Sequence, residues 1–170
     1  MALTRVKSAG ATGGYLSSIT ASDVTSNLPS GAVLNTVTEY HTTSTEISTS
    51  FTTYVSPSIT PTATNSKILV LVTFTVDIIG DSNFNAKVLR SIGGASDSVL
   101  NPDIGESFFG AGNLGSANQH GLCYAINTID SPNTTSAVEY KLQLKEGGNT
   151  ARVLLSHSGD TSVTLMEIKG

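Results

Sequence analysis

Between Ala32 and Val76 the chain reads AVLNTVTEYHTTSTEISTSFTTYVSPSITPTATNSKILVLVTFTV, a stretch in which strand-forming segments and turn-forming residues alternate with almost no charge. Threonine and serine fill its polar positions, and isoleucine, valine, phenylalanine and tyrosine its apolar ones. β-Branched and aromatic side chains fit a pleated, half-buried surface, whereas a helix restricts their χ1 rotamers. This stretch therefore predicts an all-β fold and carries no residue pattern of a catalytic motif.

The rest of the chain continues in the same manner. Eight strands are expected, at about 32–40, 45–55, 66–76, 84–92, 120–129, 137–146, 150–157 and 161–169. Between them stand Thr62-Ala63-Thr64-Asn65, Gly80-Asp81-Ser82-Asn83, Asp130-Ser131-Pro132-Asn133 and Gly147-Gly148-Asn149, residues that accept turn conformations. His157-Ser158-Gly159-Asp160 is expected to close a last hairpin. An antiparallel β-sandwich of about eight strands results, occupying residues 31–170.

Two segments define its faces. In Val138-Glu139-Tyr140-Lys141-Leu142-Gln143-Leu144-Lys145 apolar and polar residues alternate, so one face lies on a core and the other in water. In Ile68-Leu69-Val70-Leu71-Val72-Thr73-Phe74 both faces are apolar at the start. Ile68, Leu69, Val70, Leu71, Val72 and Phe74 are thus candidates for the core and for a subunit interface, because a strand apolar on both sides must be covered twice.

Residues 1–30 differ in kind. Ala, Gly, Ser and Thr dominate, and apolar residues occur singly as Leu3, Val6, Tyr15, Leu16, Ile19, Val24 and Leu28. This composition reads as an extended arm, able to reach roughly 100 Å at about 3.3 Å per residue, with Leu28-Pro29-Ser30-Gly31 as the hinge into the first strand. The stretch 93–119, rich in glycine, is expected to be a long loop anchored by Phe108 and Phe109, with Asn101, Asp103, Glu106 and Asn113 as candidate exposed binding residues.

Composition removes several function classes. Charged residues make up 13% of the 170 residues and the formal net charge is -4, against a usual charged share of about 25%. No cluster of Lys and Arg exists to hold phosphates, so nucleic acid is not an expected partner. Lys67-ILVLVTFTV falls far short of the roughly 20 apolar residues of a spanning helix, so no membrane insertion is expected. MALTRVKSAGATGGYLSS lacks the apolar core of an export signal, which predicts synthesis in a cytoplasm. Cys123 is the single cysteine and reads as a buried thiol.

Motifs that suggest chemistry lack their context. Gly110-Ala111-Gly112-Asn113-Leu114-Gly115 matches G-x-G-x-x-G, but no amphipathic helix follows to receive a pyrophosphate. His41, His120 and His157 show no metal-ligand spacing, although one histidine on a three-fold axis would supply three ligands. His157, Ser158 and Asp160 are neighbours in a turn and not a catalytic triad. Asp77, Asp81, Asp97, Asp103 and Glu106 fall at strand ends and loops. Asn133-Thr134-Thr135 is a glycosylation sequon without an export signal. No catalytic residue, cofactor or metal is expected, and the absence of Trp weakens a sugar-stacking site.

The ordered segments from Leu28 to Leu34, Thr43 to Val55, Ser58 to Val70, Asp130 to Tyr140 and Thr164 to Ile168 resemble virion proteins of tailed bacteriophages over about residues 28–170. The resemblance implies a jelly-roll-like sandwich that assembles as a homotrimer, a location on the virion, and contacts with other virion proteins such as a major capsid or tail protein. It favours a capsid decoration protein, of the cement or head-fibre kind, anchored by its N-terminal arm. A tail-fibre or tail-tip protein binding a host-surface glycan is the alternative, and a glycan-cleaving virion enzyme a remote one.

Overall fold

A computed structural model describes residues 28–79, 83–100, 107–110, 119–147, 153–155 and 161–170. Its centre is the two-faced apolar strand anticipated above. Ile68, Val70, Val72, Phe74 and Val76 point inward and are 0% exposed, while Leu69, Leu71, Thr73 and Thr75 take the opposite face, as the two-residue period of a strand requires.

Eleven strands are formed among the described residues: β1 (Val33–His41), β2 (Thr52–Val55), β3 (Ser58–Ile59), β4 (Lys67–Ile79), β5 (Asn83–Ile92), β6 (Ser98–Val99), β7 (Ser107–Gly110), β8 (Gln119–Asp130), β9 (Val138–Glu146), β10 (Val153–Leu155) and β11 (Thr161–Ile168). All pairings are antiparallel. β2 and β3 lie end to end along β9, β6 and β7 along β5, and β10 and β11 along β4. Merging these pairs leaves eight lanes in two sheets. The first sheet runs β1, β10/β11, β4, β8; the second runs β2/β3, β9, β5, β6/β7.

Numbered along the chain, the lanes fall in the order 1-8-3-6 and 2-7-4-5, which is the jelly-roll arrangement of two interlocked Greek keys. The inner faces meet in one core. Phe74 of the first sheet packs edge-on to Phe84 of the second at 6.1 Å between centroids, and Tyr124 stacks on Phe74 at 5.5 Å while meeting Phe84 edge-on at 5.1 Å. Val138, Tyr140, Leu142 and Leu144 of β9 face Val163 and Leu165 of β11, all 0% exposed.

Three expectations are corrected. The stretch 93–119 is not a bare loop: Ile92-Gly93-Gly94-Ala95 makes a tight turn with φ of 58° and 78° at its glycines and Ala95 N donating to Ile92 O at 3.0 Å. That turn, with both central φ positive as type I′ demands, sends the chain back along β5 as β6 and β7. The residues of the expected last hairpin turn, His157–Asp160, lie outside the described residues, and the strands on either side, β10 and β11, are not hairpin partners but run in the same direction along the same side of β4. Lastly, the strand expected at 45–55 shortens to β2. Local hydroxyl bonds occupy the backbone before it, with Ser50 N donating to Ser48 Oγ at 3.2 Å and Thr52 Oγ1 to Ser50 O at 3.2 Å, and such bonds compete with ladder pairing.

Polar groups close the ends of the sandwich. Arg90 Nη1 donates to Asp130 Oδ1 at 2.8 Å and Tyr140 Oη to Asp130 Oδ2 at 2.8 Å, joining β5 and β9 of one sheet to the end of β8 in the other. Elsewhere the fully buried Glu167 receives three bonds of 2.7 Å at Oε1, from Thr62 N, Thr62 Oγ1 and Ser66 Oγ. These fix the connection between β3 and β4 onto β11.

Candidate functional site

The two outer faces of the sandwich differ in chemistry. On the second sheet β9 presents Glu139, Lys141, Gln143 and Lys145, and β5 presents Asn85 and Lys87 beside them. Lys141 Nζ reaches Asp97 Oδ1 at 2.8 Å and Glu139 Oε2 at 3.2 Å. Asp97, and after it Glu139, hold the Lys141 ammonium above its ordinary pKa. The ammoniums of Lys87 and Lys145 sit 3.8 and 4.5 Å from the centroid of the Phe51 ring, a cation–π arrangement suited to an exposed surface. This is a face built for water.

The outer face of the first sheet has almost none of this. Register places Thr36, Met166, Leu69 and Ile129 in one row, Thr38, Thr164, Leu71 and Asn127 in the next, and Tyr40, Ser162, Thr73 and Ala125 in a third. Thr75 and Cys123 follow at one end, Val33, Ile168 and Lys67 at the other. Among the described residues its charges are Lys67 and Asp77, at the two ends of β4. Ile129 is 64% exposed, Tyr40 58% and Val33 51%. The polar side chains satisfy one another within the sheet, as where the Thr38 and Thr164 hydroxyls lie 3.0 Å apart.

Exposed apolar side chains set in hydroxyls and free of charge can be desolvated at low cost, since no ion has to leave water. Such a face suits protein packing. Among the described residues no three His, Cys, Asp or Glu gather as for a metal.

The structure sorts the six candidates of the double-faced strand into two sets. Ile68, Val70, Val72 and Phe74 belong to the chain's own core. Leu69 and Leu71 are half-buried on the outer face. Of the arm residues, Leu28 is described: its carbonyl accepts from Lys169 Nζ at 2.6 Å, while Gly31 N donates to Lys169 O and Lys169 N to Ala32 O, both at 2.8 Å. The hinge is thereby pinned to the end of β11, beside Val33 and Ile168. Leu3, Val6, Tyr15, Leu16, Ile19 and Val24 lie outside the described residues, as do Asn101, Asp103, Glu106 and Asn113.

Cys123 is exposed, not buried. Tyr124 and Ile126 turn to the core, so strand parity sends Cys123 outward opposite Thr75. His41 contacts the Thr45 hydroxyl through Nε2 at 3.1 Å and meets Tyr54 edge-on at 5.6 Å, a packing role. Asn133 has a φ of 53° and donates through Nδ2 to Ser131 O at 3.0 Å, shaping the turn before β9. Sequence reading missed Ile129, Met166 and Val33 as parts of the outer face. Their signal was the shared parity of neighbouring strands, readable only once the strand order is known.

No protein-family model matches the chain, and no curated protein matches it in sequence. Among solved structures the chain is similar to those of the Gx strain of infectious bursal disease virus (11% identity, TM-score 0.37) and of its Gt strain (12%, 0.40), covering 97% of this chain and 42% of each of those. A mutant VP2 protein of the same virus, from derived T=1 particles, shows 12% identity and a TM-score of 0.37, with 97% of this chain and 40% of that one covered. The chain thus spans about two-fifths of the length of the structures it matches.

Proposed function

We propose that the chain is a structural protein of a virion, a homotrimeric capsid decoration protein of a tailed bacteriophage, held on the particle by its N-terminal arm. The observation that carries this reading is the contrast between the two outer faces. One sheet is dressed with Lys and Glu for solvent, and the other presents Leu69, Leu71, Met166 and Ile129 among hydroxyls with no charge at its centre.

The strand order adds support, because the double-sheet jelly roll is an architecture of viral capsid domains, although lectins and cupins share it and fold alone does not define function. In this reading the uncharged sheets meet within the trimer and the charged sheets face outward. The hinge at Leu28–Gly31, fixed to the end of β11, releases residues 1–27 from one end of the trimer toward a capsid protein.

Immunogold electron microscopy of the intact virion, with an antibody against the purified protein, tests the assignment. Gold spread over the head supports decoration. Gold confined to the tail replaces it with a tail-fibre role, and particles without gold refute a virion component of either kind.

A further inference from the structure

The four edges of the sandwich are unequally protected. On the second sheet one edge is split into β2, of four residues, and β3, of two, with a register shift between Thr53 and Val55. The other is split into β6, of two residues, and β7, of four. Short, interrupted edge strands are how sheet proteins prevent edge-to-edge pairing.

The first sheet lacks that protection. β8 follows β4 through twelve paired positions, from Ile68↔Asp130 to Ile79↔Gln119, with no register shift. It contains neither Pro nor Lys, and its one carboxylate, Asp130, is held by Arg90 and Tyr140. At the opposite edge β1 extends for nine residues, with its register shift confined to the start, between Val33 and Asn35. Among the described residues no strand pairs with the free side of either.

We infer that β8 of one copy pairs with β1 of the next, joining the uncharged sheets of neighbouring copies into one continuous ladder. This rests on the homo-oligomeric reading and specifies its geometry. Strand direction alternates through β1, β11, β4 and β8, so β1 and β8 run oppositely. Rotation about an axis along the strands preserves direction, and β8 therefore meets the neighbour's β1 antiparallel. Contact between two different edges is heterologous, and with the three-fold rotation of a trimer it closes as a ring, leaving no open edge on this sheet.

Charge agrees, because an uncharged face is best matched by a second uncharged face, and another copy supplies one. Four lanes about 4.8 Å apart and some eight residues long give the face a plan area of about 500 Å². In a ring that area is shared between two neighbours, and the ladder adds to it on each side. Rotation without translation also keeps rows level. Ala125 shares a row with Tyr40, so it falls beside the neighbour's Tyr40, and Cys123, one outward position further along, falls near the neighbour's Thr42.

The native Cys123 makes this testable, because a disulfide needs Cα atoms about 4.4–6.8 Å apart. Full-length protein is oxidised with copper phenanthroline as wild type and as Thr42→Cys, Tyr40→Cys and Thr38→Cys, with Gln143→Cys on the charged sheet as control, and each is also weighed by sedimentation. The pairing predicts that at least one β1-side variant forms linked products up to a closed trimer, while wild type and Gln143→Cys form none. Efficient Cys123–Cys123 dimers in wild type, or an oligomer that none of the three variants cross-links, overturn the pairing and leave the oligomer standing. A monomer at every concentration overturns both.

Discussion

Tyr140 Oη donates to Asp130 Oδ2 at 2.8 Å while the other oxygen of the same carboxylate accepts from Arg90, so one buried phenol and one ion pair tie the second sheet to the end of β8. Desolvation by burial, and then the bond to Asp130, push the Tyr140 hydroxyl far above its ordinary pKa near 10. A raised folded pKa makes the contribution of this group complete below about pH 10 and progressively lost above it, as the unfolded chain releases a proton that the folded chain keeps. Burial raises Tyr54 and Tyr124 as well. Denaturant titrations across pH 8–11 should show stability falling above pH 10, and Tyr140→Phe should flatten that fall.

At neutral pH Tyr140→Phe should cost about 1.5–3 kcal/mol, the range for a bond to a charged group, because Asp130 loses one of its two donors while remaining mostly buried. Urea unfolding of the variant measures this. A cost under about 0.5 kcal/mol would mean that the bond contributes little in solution.

Glu167 offers a second measure of buried polar contacts. Its Oε1 collects Thr62 N, Thr62 Oγ1 and Ser66 Oγ. Glu167→Ala removes the acceptor of all three donors and leaves a cavity, for an expected loss of about 3–5 kcal/mol. Glu167→Gln, which keeps an oxygen in place, should lose less than half of that. Equal losses in the two variants would show that the carboxylate charge, and neither the volume nor a neutral oxygen, is what matters.

Neighbouring positions on β4 should respond to charge in opposite ways. Val72 is 0% exposed in the core, so Val72→Asp buries an unpaired carboxylate and should cost more than about 4 kcal/mol, unfolding the chain. Leu71 faces outward, and Leu71→Asp should retain the far-ultraviolet circular dichroism of the wild type. A folded Val72→Asp or an unfolded Leu71→Asp would invert the assignment of the two faces.

The contrast between Val72 and Leu71 also marks how far the sequence can be read. Alternation in β4 and β9 was strict enough to assign strands and inward residues, and the apolar start of β4 announced a second covered face. β8 reads QHGLCYAINTID, in which small and apolar residues fall on both parities, so Cys123 looked like a core thiol until its pairing with Thr75 was known. Turn residues are a local signal and suggested that β10 and β11 pair with each other, whereas the partner they share is β4, far away in sequence. Glycine hid β6 and β7, although their partner β5 directly precedes them, because a glycine-rich stretch reads as loop. The uncharged face itself was out of reach, since it is assembled from four strands whose neighbours only the fold defines.

Sedimentation equilibrium of the wild type, of Leu71→Asp, and of Gln143→Asp as a control on the charged sheet tests most directly whether the uncharged sheet is the assembly surface. The account predicts a trimer for the wild type and for Gln143→Asp, and a folded monomer for Leu71→Asp. A wild type that remains monomeric, or a Leu71→Asp variant that is as fully trimeric as the control, would contradict it.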